Sequence, residues 1–140
     1  MRHLRRTAWL GLLVLCTAGC SGGPDVEIVP VTGTVKFVDG SIPKGERAEV
    51  IFEPIAGGPN QLRKIALGEI NPEDGRFKMT TVEPGDGVIA GKYKVFFEVH
   101  ETALDLESLV AEEYTKPEIS PYEVTVEPGV KPFEFRVKKP

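Results

Sequence analysis

Hydrolysis by a serine, histidine and acid device needs a free nucleophile beside a base. Beyond the first nineteen residues, His100 is the only histidine, and Ser41, Ser108 and Ser120 are the candidate nucleophiles. No Gly-x-Ser-x-Gly elbow occurs to expose any of them. His100 closes an alternating segment, so the expectation is a solvated strand end. Asn71, Glu73 and Asp74 before Gly75 loosely outline a calcium loop. The EF-hand spacing and its distant Glu are absent, and a turn accounts for the same residues. Zinc needs several His or Cys ligands, and this stretch offers a single histidine. Glu107, Glu112 and Glu113 read as a solvated acidic face. A retaining glycosidase needs two carboxylates about 5–5.5 Å apart, and spacing singles out no such pair. The sequence therefore names no catalytic, cofactor-binding or metal-binding residue.

Cys20 is different. Arg2, Arg5 and Arg6 precede an apolar run from Thr7 to Cys16, and Thr17-Ala18-Gly19 lead into Cys20. A positive start, an apolar centre and a small-residue cleavage zone make a secretory signal. The apolar run has about ten residues, half of the roughly 20 that a spanning helix needs. Thr17-Ala-Gly-Cys20 resembles the bacterial lipobox, although Thr17 stands where Leu is usual. The resemblance implies a diacylglyceryl group on the Cys20 thiol, cleavage before it and an acyl chain such as palmitate on the new amino end. Each buried CH₂ contributes about 0.8 kcal/mol, so two or more chains anchor stably. Ser21 follows, not Asp, and this resembles the signal for transport to the outer membrane. Residues 1–19 are thus expected to be a signal peptide, and Cys20 a lipidation site.

Composition then bounds the rest. The whole chain has 17 basic and 21 acidic side chains. Removing the three leader arginines leaves 14 against 21, a net charge of −7. Such a balance argues against nucleic acid, which demands clustered basic charge. With Cys20 acylated and Cys16 removed, no disulfide forms within the mature chain. A packed core must hold it together, and about 120 residues suffice for one domain.

Ser21 to Asp25 is rich in Gly and Ser, and residues 20–29 are expected to be a flexible tether. Residues 30–138 then read as one β domain. Strands are expected at 31–37, 48–53, 62–70, 75–81, 92–100, 122–127 and 132–137, on period-two alternation and Gly/Pro punctuation. Segments 62–70 and 75–81 flank Asn71-Pro-Glu-Asp-Gly75 and read as a tight hairpin. Leu106, Leu109 and Val110 mark a short helix within 102–114, with Asp105 as its cap. Ile51 and Phe96 fall on outward faces, either beneath the 103–121 segment or as a contact patch. The pattern predicts an all-β, antiparallel seven-strand sandwich with one short helix.

Several segments, in order, resemble carboxypeptidase-regulatory-like, transthyretin-like domains. They are Val31-Thr-Gly-Thr-Val35, Asp39-Gly40, Val50-Ile-Phe-Glu-Pro54, Asp74-Gly-Arg-Phe77 and Ile89-Ala-Gly-Lys-Tyr-Lys-Val95. Tyr114-Thr-Lys-Pro-Glu-Ile-Ser-Pro121 is similar to a segment of small bacterial lipoproteins. Asn71-Pro-Glu departs from the usual Thr-Asp. The resemblance covers roughly residues 30–137 and implies a prealbumin-like sandwich. Its enzymatic branch, the hydroxyisourate hydrolases, relies on several histidines and a C-terminal Tyr-Arg-Gly, which this chain lacks. Such domains mostly act as accessory or binding modules, and fold alone does not fix function. The expectation is a non-catalytic, membrane-anchored envelope lipoprotein that serves as a binding or structural module for a protein or glycan partner. The alternatives are an envelope enzyme using loop carboxylates and a soluble secreted binding protein.

Overall fold

The computed structural model describes residues 26–56 and 63–140. The signal peptide, Cys20 and residues 20–25 of the expected tether lie outside the described residues. Nine strands run along the described chain: β1 (Ile28–Val29), β2 (Thr32–Phe37), β3 (Arg47–Pro54), β4 (Ala66–Glu69), β5 (Arg76–Lys78), β6 (Val88–Ile89), β7 (Gly91–His100), β8 (Tyr122–Val126) and β9 (Phe133–Val137). All seven expected strands are present, although the third shrinks to Ala66–Glu69. The two extra strands, β1 and β6, pair with each other at Ile28–Ile89 and Val29–Val88. Two residues are too few to show a period, so alternation could not reveal them.

The larger sheets have the orders β5-β2-β9 and β4-β3-β7-β8. Their apolar faces meet in an all-β, sandwich-like arrangement. Phe52 of β3 stands edge-on to Phe133 and Phe135 of β9, with centroids 5.8 and 6.3 Å away. Val35, Val50, Phe52, Tyr93, Val95, Phe97, Val99 and Val137 are fully enclosed. These are the alternate positions of their strands, because successive side chains leave a strand on opposite faces. Tyr93 carries a hydroxyl into this core and donates it to the Ile89 carbonyl.

One strand pair departs from the antiparallel expectation. β2 and β9 run parallel, from Gly33–Phe133 to Phe37–Val137. Parallel neighbours need a long connection. Here the connection is the whole chain from Val38 to Pro132, so no local signal announces the pairing.

The expected hairpin after Asn71 is divided between the sheets. It closes at Asn71, whose N–H donates to the Arg76 carbonyl at 2.8 Å, and again at Leu67, which exchanges two hydrogen bonds with Thr80. Between these points its arms separate. Gly68 and Glu69 pair with Val50 and Glu49 of β3. Arg76 to Lys78 pair with Thr34 to Thr32 of β2. Phe77 is thereby drawn onto Phe135, with rings stacked 6.1 Å apart.

The expected helix within 102–114 reduces to one 3₁₀ turn at Glu112–Tyr114. Leu106, placed on the apolar stripe by its spacing, is 98% exposed. The reason lies in backbone bonding. The Leu109 N–H donates to the Val99 carbonyl and the Ala111 N–H to the Lys138 carbonyl. These bonds pin the segment across the ends of β7 and β9 and drop Val110 into the core. Asp105 caps a turn rather than a helix, accepting from the Thr102 N–H at 2.9 Å.

Candidate functional site

Of the residues singled out by type, the structure brings His100 and Ser108 into one cleft and leaves Ser41, Ser120, Asn71 and Asp74 apart from it. The His100 ring stands at the end of β7 and its Nδ1 lies 2.9 Å from the Glu107 carbonyl. A carbonyl only accepts, so Nδ1 carries the proton. Beside it lies an open cleft of about 480 Å³, lined by Arg47, Glu98, His100, Leu106 and Ser108. Arg47 spans Glu49 at 3.0 Å and Glu98 at 2.5 Å. Its hydrogen bond to Glu49 and the charge of Glu98 hold the guanidinium further into its charged form. Ser108 shares the cleft, but its hydroxyl accepts from the Val110 N–H at 3.1 Å. Its role is to shape the chain that delivers Val110 to the core.

The other two serines are equally committed. Ser120 is buried; its hydroxyl donates to the Val95 carbonyl and accepts from the Tyr122 N–H. Ser41 donates its N–H and its hydroxyl to one Asp39 oxygen, closing the turn after β2. The other Asp39 oxygen receives the Lys139 ammonium at 2.7 Å, which ties the chain end to that turn. The bond from Lys139, followed by those from Ser41, holds the Asp39 carboxyl well below the usual carboxylate range. A carboxyl depressed in the folded state stabilises fully above its ordinary value of about 3.8, and that stabilisation fades as acid approaches the lower folded value. Asp39→Asn is therefore expected to destabilise at pH 7 and to differ less from the parent at pH 3. Urea unfolding of both proteins from pH 7 to pH 3 checks this, and a constant gap would refute it.

Asn71 and Asp74 serve the turn as well. Asn71 accepts from the Glu73 N–H and Asp74 from the Arg76 N–H, at 2.8 and 2.9 Å. Among the described residues, no three or more His, Cys, Asp or Glu gather as a metal would require. Glu112 pairs with Lys116 at 3.2 Å, and Glu113 with Lys138 at 3.1 Å. Glu107 contributes its backbone to His100. Ile51 and Phe96 lie directly opposite each other on β3 and β7, and Leu67 of β4 continues their row. Ile51 is buried, Phe96 half-buried and Leu67 exposed.

The feature that residue types alone did not reveal is a division of charge between the two sheets. Outward strand positions of β4-β3-β7-β8 carry Glu49, Glu53, Glu69, Glu98 and Glu123 against Arg47, Lys92 and Lys94. Outward positions of β5-β2-β9 carry Lys36, Arg76, Lys78 and Arg136 against Glu134 alone. Cross-strand register sets these cations in rows: Lys78 beside Thr32, Arg76 beside Thr34 and then Glu134, Lys36 beside Arg136. Among the described residues, only Arg76 has an acidic partner on this face, Asp74 at 3.6 Å. The side chains of Lys36, Lys78 and Arg136 make no ion pair among the described residues. Thr32 and Thr34 are short, and between Arg76 and Glu134 they leave a shallow trough of about 510 Å³. The alternation of Lys36, Arg76 and Lys78 with apolar residues is legible in sequence. That their three strands share one face is not.

Compared with family models, with curated proteins and with solved structures, the chain matches none. The reading of its function rests on the residues themselves.

Proposed function

We propose that this chain is a non-catalytic lipoprotein of the bacterial envelope, acylated on Cys20, whose prealbumin-like β domain acts as a binding or structural module for a protein or glycan partner. The commitment of the candidate groups carries the choice of binding over catalysis. Ser41, Ser108, Ser120, Asn71, Asp74 and His100 each hold a turn or a loop through a hydrogen bond of their own. A nucleophile and a base would have to give up those bonds to meet.

The spacing from Cys20 suits a surface anchor. Ile28, where β1 begins, lies eight residue steps after Cys20. Fully extended, they span at most about 28 Å. The tether would hold the end of the sandwich that bears Val29 and Thr32 toward the bilayer. The 38–46 turn and the 101–109 loop, which meet through the Glu46 N–H and the Glu101 carbonyl, would face away. The Ser21 that follows the cysteine supports the outer membrane as the destination.

Replacing Cys20 with Ser tests the anchor. The expected result is movement of the protein from the membrane pellet to the soluble fraction, with loss of palmitate labelling. A variant that stays in the pellet and keeps its leader would make residues 7–19 the anchor. A parent protein found soluble and unlabelled would make this a secreted binding protein.

A further inference from the structure

We propose that the basic outer face of the β5-β2-β9 sheet is a binding site for an acidic polysaccharide, which lies in the trough over Thr32 and Thr34. The proposal rests on the binding-module reading above and names its ligand class. Charge complementarity carries it. The chain as a whole is acidic, at −4. Yet this face sets four cations against one acid, and three of those cations have no ion pair among the described residues. On the opposite sheet five acids outnumber three cations, and Arg47 is held by Glu49 and Glu98. Cations left without partners across one face of an acidic protein attract an anion from outside.

Register sets the spacing of the charges. Neighbouring strands lie about 4.8 Å apart, and alternate residues of a strand about 6.6–6.8 Å apart. Arg76 and Lys78 therefore stand one strand repeat apart along β5. Lys36 and Arg136 stand side by side on β2 and β9. An extended polymer with repeated carboxylates or sulfates meets cations along both directions. The trough adds shape: Thr32 and Thr34 line it together with Gly33, Arg76, Phe77 and Glu134, and the threonine hydroxyls both donate and accept. A sugar chain can enter such a recess and a flat bilayer cannot. Glu134 forms the wall opposite Arg76 and opposes an anionic ligand, which provides an internal check.

The experiment uses the full chain, extracted in nonionic detergent, on immobilised heparin and on immobilised polygalacturonate. Retention at low salt and release by salt are expected, since exposed charges are screened within about 10 Å at 0.1 M. Arg76→Glu with Lys78→Glu is expected to weaken binding at least about tenfold, because the reversal turns attraction into repulsion. Lys92→Glu with Lys94→Glu changes net charge equally on the other sheet and is expected to leave binding unchanged. Glu134→Gln is expected to strengthen it. Thermal unfolding of each variant confirms that the fold is retained, and should the Arg76/Lys78 pair fail to fold, Lys36→Glu with Arg136→Glu replaces it. No retention on either resin overturns the proposal, as does equal loss from both charge reversals. Binding to phosphatidylglycerol vesicles without binding to either polysaccharide also overturns it and gives the face to lipid headgroups. Failure of the anchor would appear separately, in the fractionation of Cys20→Ser.

Discussion

Phe135→Ala is expected to lower the unfolding free energy by about 3–5 kcal/mol, the usual cost of truncating a buried phenylalanine. The residue is 3% exposed and stands where the two large sheets meet. Its ring lies 4.9 Å from Tyr122, 5.6 Å from Phe97, 5.8 Å from Phe133 and 6.1 Å from Phe77. These partners belong to β8, β7, β9 and β5, so one side chain joins strands from both layers. Edge-to-face ring pairs contribute about 0.5–1.5 kcal/mol each beyond the area they bury. A domain of this size has about 5–15 kcal/mol in total. The loss would lower the thermal midpoint by about 12–20 °C. Tyr122 has a second role that the truncation disturbs. Its hydroxyl donates to the Arg136 carbonyl at 2.6 Å and accepts from the Arg136 N–H at 3.0 Å. It thus occupies the outer edge of β9, which would otherwise offer free backbone groups to another strand. Urea unfolding with an unchanged denaturant slope checks the prediction. A loss below about 1 kcal/mol would show that the aromatic cluster closes over the gap. Phe135→Leu keeps most of the volume and is expected to cost less than half as much.

Gly33→Ala is the second large effect. Gly33 sits in the middle strand of the β5-β2-β9 sheet, opposite Phe77 on one side and Phe133 on the other. A Cβ there would lie 2.4 Å from the Phe133 carbonyl oxygen and 2.5 Å from the Phe77 ring. Neither neighbour yields easily. The carbonyl belongs to the parallel partner strand, and the ring is wedged against Phe135. Overpacking by a single methyl group usually costs about 1–3 kcal/mol. With backbone on one side, a loss of about 3 kcal/mol or more is expected. Adding Phe77→Leu removes the contact with the ring and leaves the contact with the carbonyl. The double variant should therefore recover part of the stability that two independent losses would predict. Strict additivity would mean that the ring does not limit the space at Gly33.

Much of this architecture was legible in the sequence, because alternation is a property of the strand backbone itself. Val35 and Phe37, Val50 and Phe52, and Tyr93 to Val99 at alternate positions all lie inside, as their spacing requires. Lys36, Arg76 and Lys78 lie outside for the same reason. The turn residues Asn71 and Asp74 act locally and were equally readable. The 102–114 segment departs from its helical pattern because the spacing of Leu106, Leu109 and Val110 also arises by chance in an irregular chain. What decided its conformation was the Val99 and Lys138 carbonyls, both supplied by strands.

The candidate surface divides in the same way. The resemblance of Thr17-Ala-Gly-Cys20 to a lipobox needs no fold to be seen, since it lies in a short linear segment. The phase of each strand, and hence which side chains face water, was also determined by the sequence alone. Only tertiary structure decided that β2 lies between β5 and β9, and that the hairpin after Asn71 divides between two sheets. Those pairings join residues up to about 100 positions apart. They depend on how two apolar faces bury one another, to which no short stretch of sequence responds. Four cations scattered between Lys36 and Arg136 became one face because that packing brought their strands together.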